Sequence, residues 1–127
     1  PPVWGTQFFN EISTCKMGLN YSRGNPVKYY SSDRIASLFG NGLLTFLQKG
    51  YNYEDFLKPD VEAIYFKSRT ELVDKIKFDS KNDYLRKKIA RQGCKKYNHL
   101  FDSLITTRYM LEKLLDLKIT NRKVWMK

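Results

Sequence analysis

The chain has 127 residues, of which 42% are hydrophobic, and its formal net charge is +10. This length and apolar content are enough for one domain with its own core. No stretch approaches the ~20 consecutive apolar residues that a membrane-spanning helix needs, and the opening residues 1–4 do not resemble a secretory signal.

Three observations bear on the origin and compartment of the chain. It does not begin with Met, so we expect a fragment of a longer protein. The two cysteines, Cys15 and Cys94, lack metal-ligand spacing and are predicted to be reduced, mostly buried thiols. Reduced thiols favour a cytoplasmic location.

The net positive charge comes entirely from the second half of the chain. Residues 1–66 contain six Lys/Arg and six Asp/Glu, so residues 67–127 contain 17 bases and seven acids and carry the whole excess. A basic half can attract nucleic acid, anionic lipid headgroups or a phosphorylated substrate, and charge alone does not choose among them.

The first third of the chain predicts a helix, a strand and a loop. Thr6 can cap a helix that runs to about Cys15, in which apolar residues recur at one-turn spacing, namely Phe8, Phe9 and Ile12. Residues 16–21 then predict a short strand, and residues 22–26 a polar loop.

A capped helix that leads into a buried strand comes next. We expect the helix over 32–39, with Ser31 or Ser32 accepting a hydrogen bond from a first-turn N–H and Asp33 complementing the helix dipole. Two glycines close it, Gly40 and Gly42. The apolar run that follows predicts a strand over 42–47 that is covered on both faces.

The second half predicts one more strand and then helices. Residues 61–66 predict the strand, and Ser68 with Glu71 has the capping-box pattern of a helix start. That helix is predicted to bury Leu72, Val73 and Ile76. A helix over 84–97 has an apolar side formed by Leu85, Ile89, Ala90, Gly93 and Tyr97, and a final helix over 102–115 has a leucine stripe formed by Leu104, Leu111, Leu114 and Leu115.

The order of these elements predicts an α/β fold with a small, three-stranded parallel sheet flanked by helices and a helical carboxyl-terminal region. Ligands of open α/β sheets bind at the loops that follow the strands. The connection from the first strand into the helix over 32–39 is therefore the first place to expect a ligand, since a helix N-terminus there can hold phosphate.

The usual short catalytic motifs are absent, since the sequence contains no GxGxxG, P-loop, HExxH, GxSxG or CxxC pattern. His99 is the only histidine, and a structural or surface role is the favoured interpretation for it.

The connection from the first strand carries the candidate ligand-binding residues, each with a simpler alternative. Asp33 can act as a base or bind a ribose, although complementing the helix dipole is the favoured role. Arg34 can hold pyrophosphate or lie unused on the surface. Asn20, Ser22 and Arg23 can line a polar ligand site or can serve only to form a turn. Tyr29 and Tyr30 can stack on a base or sugar, although a packed and partly exposed role is the favoured interpretation.

The helix over 84–97 also has a basic face, formed by Lys87, Lys88, Arg91 and Lys95. A solvated face is the favoured interpretation. Nucleic acid is the less favoured partner, because no RNA- or DNA-binding signature is present and the aromatic residues are interspersed with core residues. An anionic membrane surface is at least as plausible, because Trp125 lies in a basic tail, residues 121–127.

The order of several segments resembles the carboxyl-terminal part of GT-B glycosyltransferases, and most closely the group 1-like, spore-maturation-type transferases. The resemblance covers roughly residues 8–115. The segments that carry it are Lys16-Met17-Gly18-Leu19-Asn20, Ser32-Asp33-Arg34-Ile35, Gly42-Leu43-Leu44-Thr45, Glu71-Leu72-Val73-Asp74-Lys75-Ile76, Arg86-Lys87-Lys88-Ile89-Ala90-Arg91-Gln92-Gly93 and Asn98-His99-Leu100-Phe101.

The resemblance implies two Rossmann-like domains that face a cleft, with the carboxyl-terminal one binding a nucleotide-sugar without a metal or other cofactor. The segment Tyr30-Ser31-Ser32-Asp33-Arg34 and the loop after Asn20 would face this donor. Relatives carry a glutamate three residues after the arginine, where it meets the ribose, and this sequence has Ser37 there.

The same resemblance implies that an amino-terminal, acceptor-binding domain is missing, so we expect the isolated chain to be inactive. The leading hypothesis is the donor-binding portion of a cytoplasmic glycosyltransferase. The alternatives are a non-enzymatic basic module that binds nucleic acid or an anionic membrane surface, and an inactive structural domain whose final helix docks on a partner domain.

Overall fold

The computed structural model describes residues 2–120, 122, 123, 125 and 126. Its helices and strands, in chain order, are α1 (Gly5–Thr14), β1 (Met17–Asn20), α2 (Asp33–Gly40), β2 (Leu44–Gln48), β3 (Ile64–Phe66), α3 (Arg69–Lys81), α4 (Asp83–Phe101) and α5 (Ser103–Leu114). A single 3₁₀ turn, Tyr53–Asp55, lies between β2 and β3. Residues 121, 124 and 127 of the predicted basic tail lie outside the described residues.

The three strands form one parallel sheet in the order β1-β2-β3, which confirms the predicted α/β fold. Met17 pairs with Leu44, and Phe46 pairs with Ile64. Because all three strands run the same way, the loops after β1, β2 and β3 meet at one edge of the sheet, which we call the carboxyl edge. The turn that enters β2 lies at the opposite, amino edge.

Strand β2 is buried on both faces, as its apolar run predicts. Leu47 packs on one face with Ile35 and Phe39 of α2. Phe46 packs on the other face with Ile89 and Ala90 of α4, and with the flanking strands. Alternate side chains of a strand point to opposite faces, so a strand with two covered faces is rich in apolar residues at successive positions.

Two predicted helix starts differ in detail from those found. Helix α1 begins at Gly5, with Trp4 rather than Thr6 before it, and no side chain caps it. Ser32 precedes α2 as expected, but its side chain makes no capping hydrogen bond. Gly40 is the last residue of α2, and it is Gly42, with φ of 69°, that supplies the left-handed turn into β2.

The capping box of α3 is confirmed in part. The Ser68 hydroxyl accepts a hydrogen bond from the Glu71 N–H at 3.2 Å, while the Glu71 carboxylate accepts from the N–H of Lys67 rather than Ser68. Leu72 and Ile76 pack against the core as predicted. The prediction for Val73 is wrong, because 46% of that residue is exposed.

The predicted buried side of α4 is largely confirmed, whereas the leucine stripe predicted for α5 is exposed to solvent. Ile89, Ala90 and Gly93 are buried, whereas Leu85 is exposed. The four leucines of the stripe are exposed as well, namely Leu104, Leu111, Leu114 and Leu115. The cysteines are free, but Cys15 is exposed and Cys94 is half-buried, so the prediction that both are mostly buried is wrong for Cys15.

Candidate functional site

A polar groove of about 470 Å³ lies at the carboxyl edge, between the loop after β1 and the start of α2. We call it the carboxyl-edge groove. It is lined by Tyr21, Ser22, Arg23, Asn25, Val27, Tyr30, Ser32, Arg34 and Tyr51. Open α/β sheets bind their ligands in this position, outside the carboxyl ends of the strands.

The groove brings together five of the residues that the sequence predicted, namely Ser22, Arg23, Tyr30, Ser32 and Arg34. Asn20 lies at the end of β1 and is buried. Its position at the same strand end puts it behind the groove rather than on the wall.

The other three predicted residues lie elsewhere. Ser31 lines a separate, aromatic pocket. Asp33 and Ser37 line a recess against α1, together with part of Arg34. These three therefore do not line the carboxyl-edge groove, because successive residues of an extended segment point to opposite sides and those of a helix are rotated by about 100°. Their contact with a donor stays a prediction.

Arg34 is held across the mouth of the groove. Its Nη1 donates a hydrogen bond of 2.7 Å to the backbone oxygen of Tyr21, in the loop after β1. A guanidinium has five N–H donors, so this bond leaves others for a ligand. The position of Arg34 is thus fixed by the protein, and its fork geometry suits a phosphate.

Tyr51 is a wall residue that the sequence analysis missed. Only 2% of it is exposed, and its hydroxyl has no hydrogen-bond partner among the described residues. Its ring stacks on that of Tyr53, with centroids 5.4 Å apart. The signal in the sequence was its position shortly after a strand, since Tyr51 is the third residue after β2 and Tyr21 is the first after β1.

Two further buried oxygens without a described partner lie at the same edge. They are Asn20 Oδ1 at the end of β1 and Gln48 Oε1 at the end of β2. A buried polar atom left without a hydrogen bond costs about 1–3 kcal/mol, so such atoms are uncommon in folded proteins. Together with the Tyr51 hydroxyl, these oxygens make three buried polar atoms without a described hydrogen-bond partner at or just after the ends of β1 and β2.

An aromatic pocket of about 300 Å³ lies on the other side of the segment over 29–32. It is lined by Tyr29, Ser31, Ile35, Tyr53, Phe56, Leu57, Tyr97, Phe101 and Trp125. The segment is a partition, because its residues alternate between the two sites: Tyr30 and Ser32 line the groove, and Tyr29 and Ser31 line the pocket.

The partition is fixed by hydrogen bonds to the loop after β2. The Tyr29 N–H donates to the backbone oxygen of Tyr51 at 2.9 Å, and the Tyr53 hydroxyl donates to the backbone oxygen of Tyr30. Tyr29 has a φ of 60°, in the left-handed region that a bulky residue rarely adopts. These contacts hold that conformation, so the two cavities have a shared, positioned wall.

The hydroxyl groups of Tyr53 and Tyr97 in the aromatic pocket stay protonated at physiological pH. Burial raises the pKa of Tyr53 and that of Tyr97 above the ordinary value of 10.0. The pocket therefore offers apolar ring faces together with a few neutral hydroxyls, which is the usual composition of a small-molecule site.

Trp125 belongs to this pocket. Its Nε1 donates a hydrogen bond of 2.8 Å to the backbone oxygen of Leu100, and its ring stacks on Phe101 with centroids 5.9 Å apart. The sequence made Trp125, in a basic tail, part of the case for an anionic membrane surface, and its ring forms part of the pocket wall. Membrane attachment stays a prediction.

The predicted basic residues of α4 form an exposed surface at another place. Lys87, Lys88, Arg91 and Lys95 are all exposed. Three of them line a groove with Gly42, at the amino edge of the sheet. The basic surface and the carboxyl-edge groove thus lie at opposite ends of β2.

His99 lies in neither cavity of the carboxyl edge. It is exposed, and its Nε2 lies 3.0 Å from the Lys123 Nζ. Within residues 2–120 and the described part of the tail, no three His, Cys, Asp or Glu side chains are grouped as a metal site would need. No helix over the same residues has the length and hydropathy to cross a membrane.

Comparison with known families gives one match, and it covers nearly the whole chain. A family model described as glycosyl transferase-like matches residues 1–116. No curated protein and no solved structure matches the chain. Since the match extends from α1 into the turn after α5, it includes both cavities of the carboxyl edge except for Trp125. The chain belongs to the glycosyl transferase-like family.

Proposed function

We propose that this chain is the donor-binding portion of a GT-B glycosyltransferase of the spore-maturation type, and that the diphosphate of a nucleotide-sugar binds in the carboxyl-edge groove. The observation that carries the proposal is the wall of this groove, which includes both Arg34 and Tyr51, and the Tyr51 hydroxyl has no hydrogen-bond partner among the described residues. The family match supports glycosyl transfer in general.

The diphosphate has suitable partners in this groove. Arg23 and Arg34 are exposed cations on its wall, and a guanidinium pairs with phosphate through two parallel hydrogen bonds. The start of α2 adds positive dipole, and the Ser32 side chain does not occupy the first-turn N–H groups. The charge needed for the diphosphate is therefore supplied without a metal.

The nucleobase is proposed to occupy the aromatic pocket on the other side of the partition. A planar base gains from stacking on aromatic rings, and the pocket volume of about 300 Å³ is large enough for one. The hydroxyls of Tyr53 and Tyr97 can orient its polar edge. In this arrangement the nucleotide passes over Tyr30 and Ser31.

Ser37 does not replace the glutamate that relatives use for the ribose. Its hydroxyl donates to the backbone oxygen of Asp33 at 2.9 Å, within α2, and it faces the recess against α1. We therefore expect the ribose to be held by groove residues and not by Ser37. The acceptor site is proposed to come from an amino-terminal domain, without which the chain binds the donor but does not turn it over.

The proposal is tested by titrating ¹⁵N-labelled chain with UDP and with GDP and following the amide signals by NMR. We expect saturable shifts over residues 20–34 and around Tyr51 and Tyr97. Arg34→Gln should weaken binding by about tenfold, because a charge-assisted contact to phosphate is lost.

Arg69→Gln is the matched control. Arg69 is the first residue of α3, is exposed and lines neither cavity. The Arg69→Gln substitution removes the same charge from the start of another helix. The affinity for UDP and GDP should therefore stay within about twofold of the parent's. Shifts confined to residues 86–96, or equal weakening by both variants, would contradict a local diphosphate site.

A further inference from the structure

A second groove, of about 440 Å³, lies at the amino edge of the sheet between α4 and the turn that enters β2. We call it the amino-edge groove. It is lined by Gly42, Arg86, Lys87, Ala90, Arg91, Cys94 and Lys95. The five residues of β2 separate it from the carboxyl-edge groove, which corresponds to about 16 Å along the strand.

The amino-edge groove contains a buried cation. Arg86 is only 5% exposed, because it lies on the core side of α4 one turn before Ile89 and Ala90. Its Nη2 pairs with the carboxylate of Asp83. Its Nε is buried and has no hydrogen-bond partner among the described residues. Buried N–H groups of a guanidinium are normally paired, so this wall has an unused donor.

Positive charge exceeds negative charge around this donor, even though the buried carboxylate of Asp79 also attracts Arg86. Asp83 is shared, since it pairs with Arg86 and also with Lys87 at 2.6 Å. Arg91 and Lys95 belong to none of the ion pairs found over the described residues. The exposed cations thus surround the entrance to a recess whose wall includes Arg86.

We propose that the amino-edge groove binds the phosphate group of a small soluble compound, at a site separate from the nucleotide-sugar site. A compact anion can enter the recess and accept hydrogen bonds from guanidinium and ammonium groups together. A flat membrane would meet only the exposed cations, Lys87, Arg91 and Lys95, and would leave the buried Arg86 unused. This proposal does not depend on the proposed glycosyl transfer, because the two sites share no residue.

The test uses inorganic pyrophosphate as the probe, with ¹⁵N-labelled chain at a constant ionic strength of about 0.15 M so that general screening is fixed. We expect saturable amide shifts at Gly42, Arg91, Cys94 and Lys95. The double variant R91Q/K95Q should weaken this binding by about tenfold or more, since two charge-assisted contacts are removed. Arg86 is left unchanged, because its burial would make a substitution there a test of folding.

K81Q/K88Q is the matched control, because Lys81 and Lys88 are exposed and line no part of the groove. It removes the same two charges, and pyrophosphate affinity should change by less than about twofold. R34Q should leave the shifts at Gly42 unchanged, which separates this site from the carboxyl-edge groove.

Parallel titrations with a single-stranded RNA oligonucleotide and with phosphatidylserine-containing vesicles test the two macromolecular alternatives. Binding to RNA or to vesicles without saturable pyrophosphate binding would overturn the proposal. Equal weakening by both double variants, or pyrophosphate shifts confined to residues 21–34, would overturn it as well.

Discussion

The two grooves at the ends of β2 are built in different ways. At the carboxyl edge, the wall comes from the loop after β1, the start of α2 and the loop after β2, so residues far apart in sequence meet. At the amino edge, nearly every wall residue comes from about three successive turns of α4. The first site therefore depends on the sheet for its geometry, whereas the second depends on the position of one helix.

The distribution of charge follows the same division. The carboxyl-edge groove belongs to the half of the chain that is electrically neutral, and its proposed ligand contacts come from a few positioned groups such as Arg34 and Tyr51. The amino-edge groove belongs to the basic half. The net charge of +10 is thus a guide to the second site and not to the first, and the predictions below test this separation.

The largest expected effect comes from Gly93→Ala, which should disturb both grooves together. A Cβ at Gly93 would overlap the backbone oxygen of Glu62 and lie 2.9 Å from Cε1 of Phe39 in α2. Backbone cannot move aside as a flexible side chain can, so we expect a loss of about 1–3 kcal/mol in the free energy of unfolding. Urea denaturation followed by circular dichroism measures it.

Gly40→Ala is the control for this substitution. Gly40 is the last residue of α2, and a Cβ there would meet nothing within 4 Å. Alanine also favours helix over glycine, so this variant should be as stable as the parent or slightly more stable. Equal stability of both alanine variants would show that α4 does not pack tightly at Gly93.

A smaller, local effect is expected from Tyr51→Phe, which should weaken only the carboxyl-edge site. The substitution keeps the ring that stacks on Tyr53 and removes one hydroxyl. Loss of a single hydrogen bond of about 1 kcal/mol should reduce UDP affinity roughly fivefold. The free chain should not lose stability, since this hydroxyl has no partner among the described residues.

Isothermal titration calorimetry with UDP, and NMR titration with pyrophosphate, distinguish the two sites for this variant. Tyr84→Phe is the control, because Tyr84 is 81% exposed at the start of α4. A Tyr51→Phe chain that is less stable and binds UDP normally would show that the hydroxyl is structural.

The helices and strands could be predicted from the sequence where a single local pattern of residues determines the structure. The run over 43–47, which is apolar except for Thr45, predicts a strand covered on both faces, and the capping box at Ser68 predicts the start of α3. The carboxyl edge was predictable too, because parallel strands end together once their order is known.

The residues of the sites were less predictable, because side-chain direction depends on tertiary packing. The sequence grouped Ser31, Asp33 and Ser37 with the groove residues, but the partition and α2 direct them into other recesses. Tyr51 was missed because a tyrosine in a loop has no distinguishing local pattern.

Arg86 was missed for a different reason. It stands next to Lys87 and Lys88 in the sequence, but the basic face was assigned to Lys87, Lys88, Arg91 and Lys95, and Arg86 was assigned to neither side of the helix. Helical periodicity separates them, since Arg86 is three, four and seven residues before the buried Ile89, Ala90 and Gly93. The pattern was available, but hydrophobic residues alone were used to define the buried side.

The smallest expected effect comes from Asp83→Asn, which tests the counter-ion of the amino-edge groove through pH. Hydrogen bonds from Lys87, and next from Arg86, lower the pKa of Asp83 from 3.8 to about 2. A carboxylate whose pKa is lower in the folded state stabilises the fold above its ordinary value, and this contribution is lost as pH falls through the folded value. The asparagine variant should therefore be less stable at pH 7, and the difference should close between pH 3.8 and about 2.

The effect is small because Asp83 is exposed to solvent, where screening weakens an ion pair, and because Arg86 keeps the attraction of the buried Asp79. Asp74→Asn is the control, since Asp74 is exposed on α3 and joins no ion pair found over the described residues. Urea denaturation at a series of pH values compares the two variants with the parent. A gap for Asp83→Asn that stays constant down to pH 2 would mean that the side chain acts by helix capping or packing. Asp83 would then not act as the counter-ion of Lys87 and Arg86, and the two grooves would no longer differ in this respect.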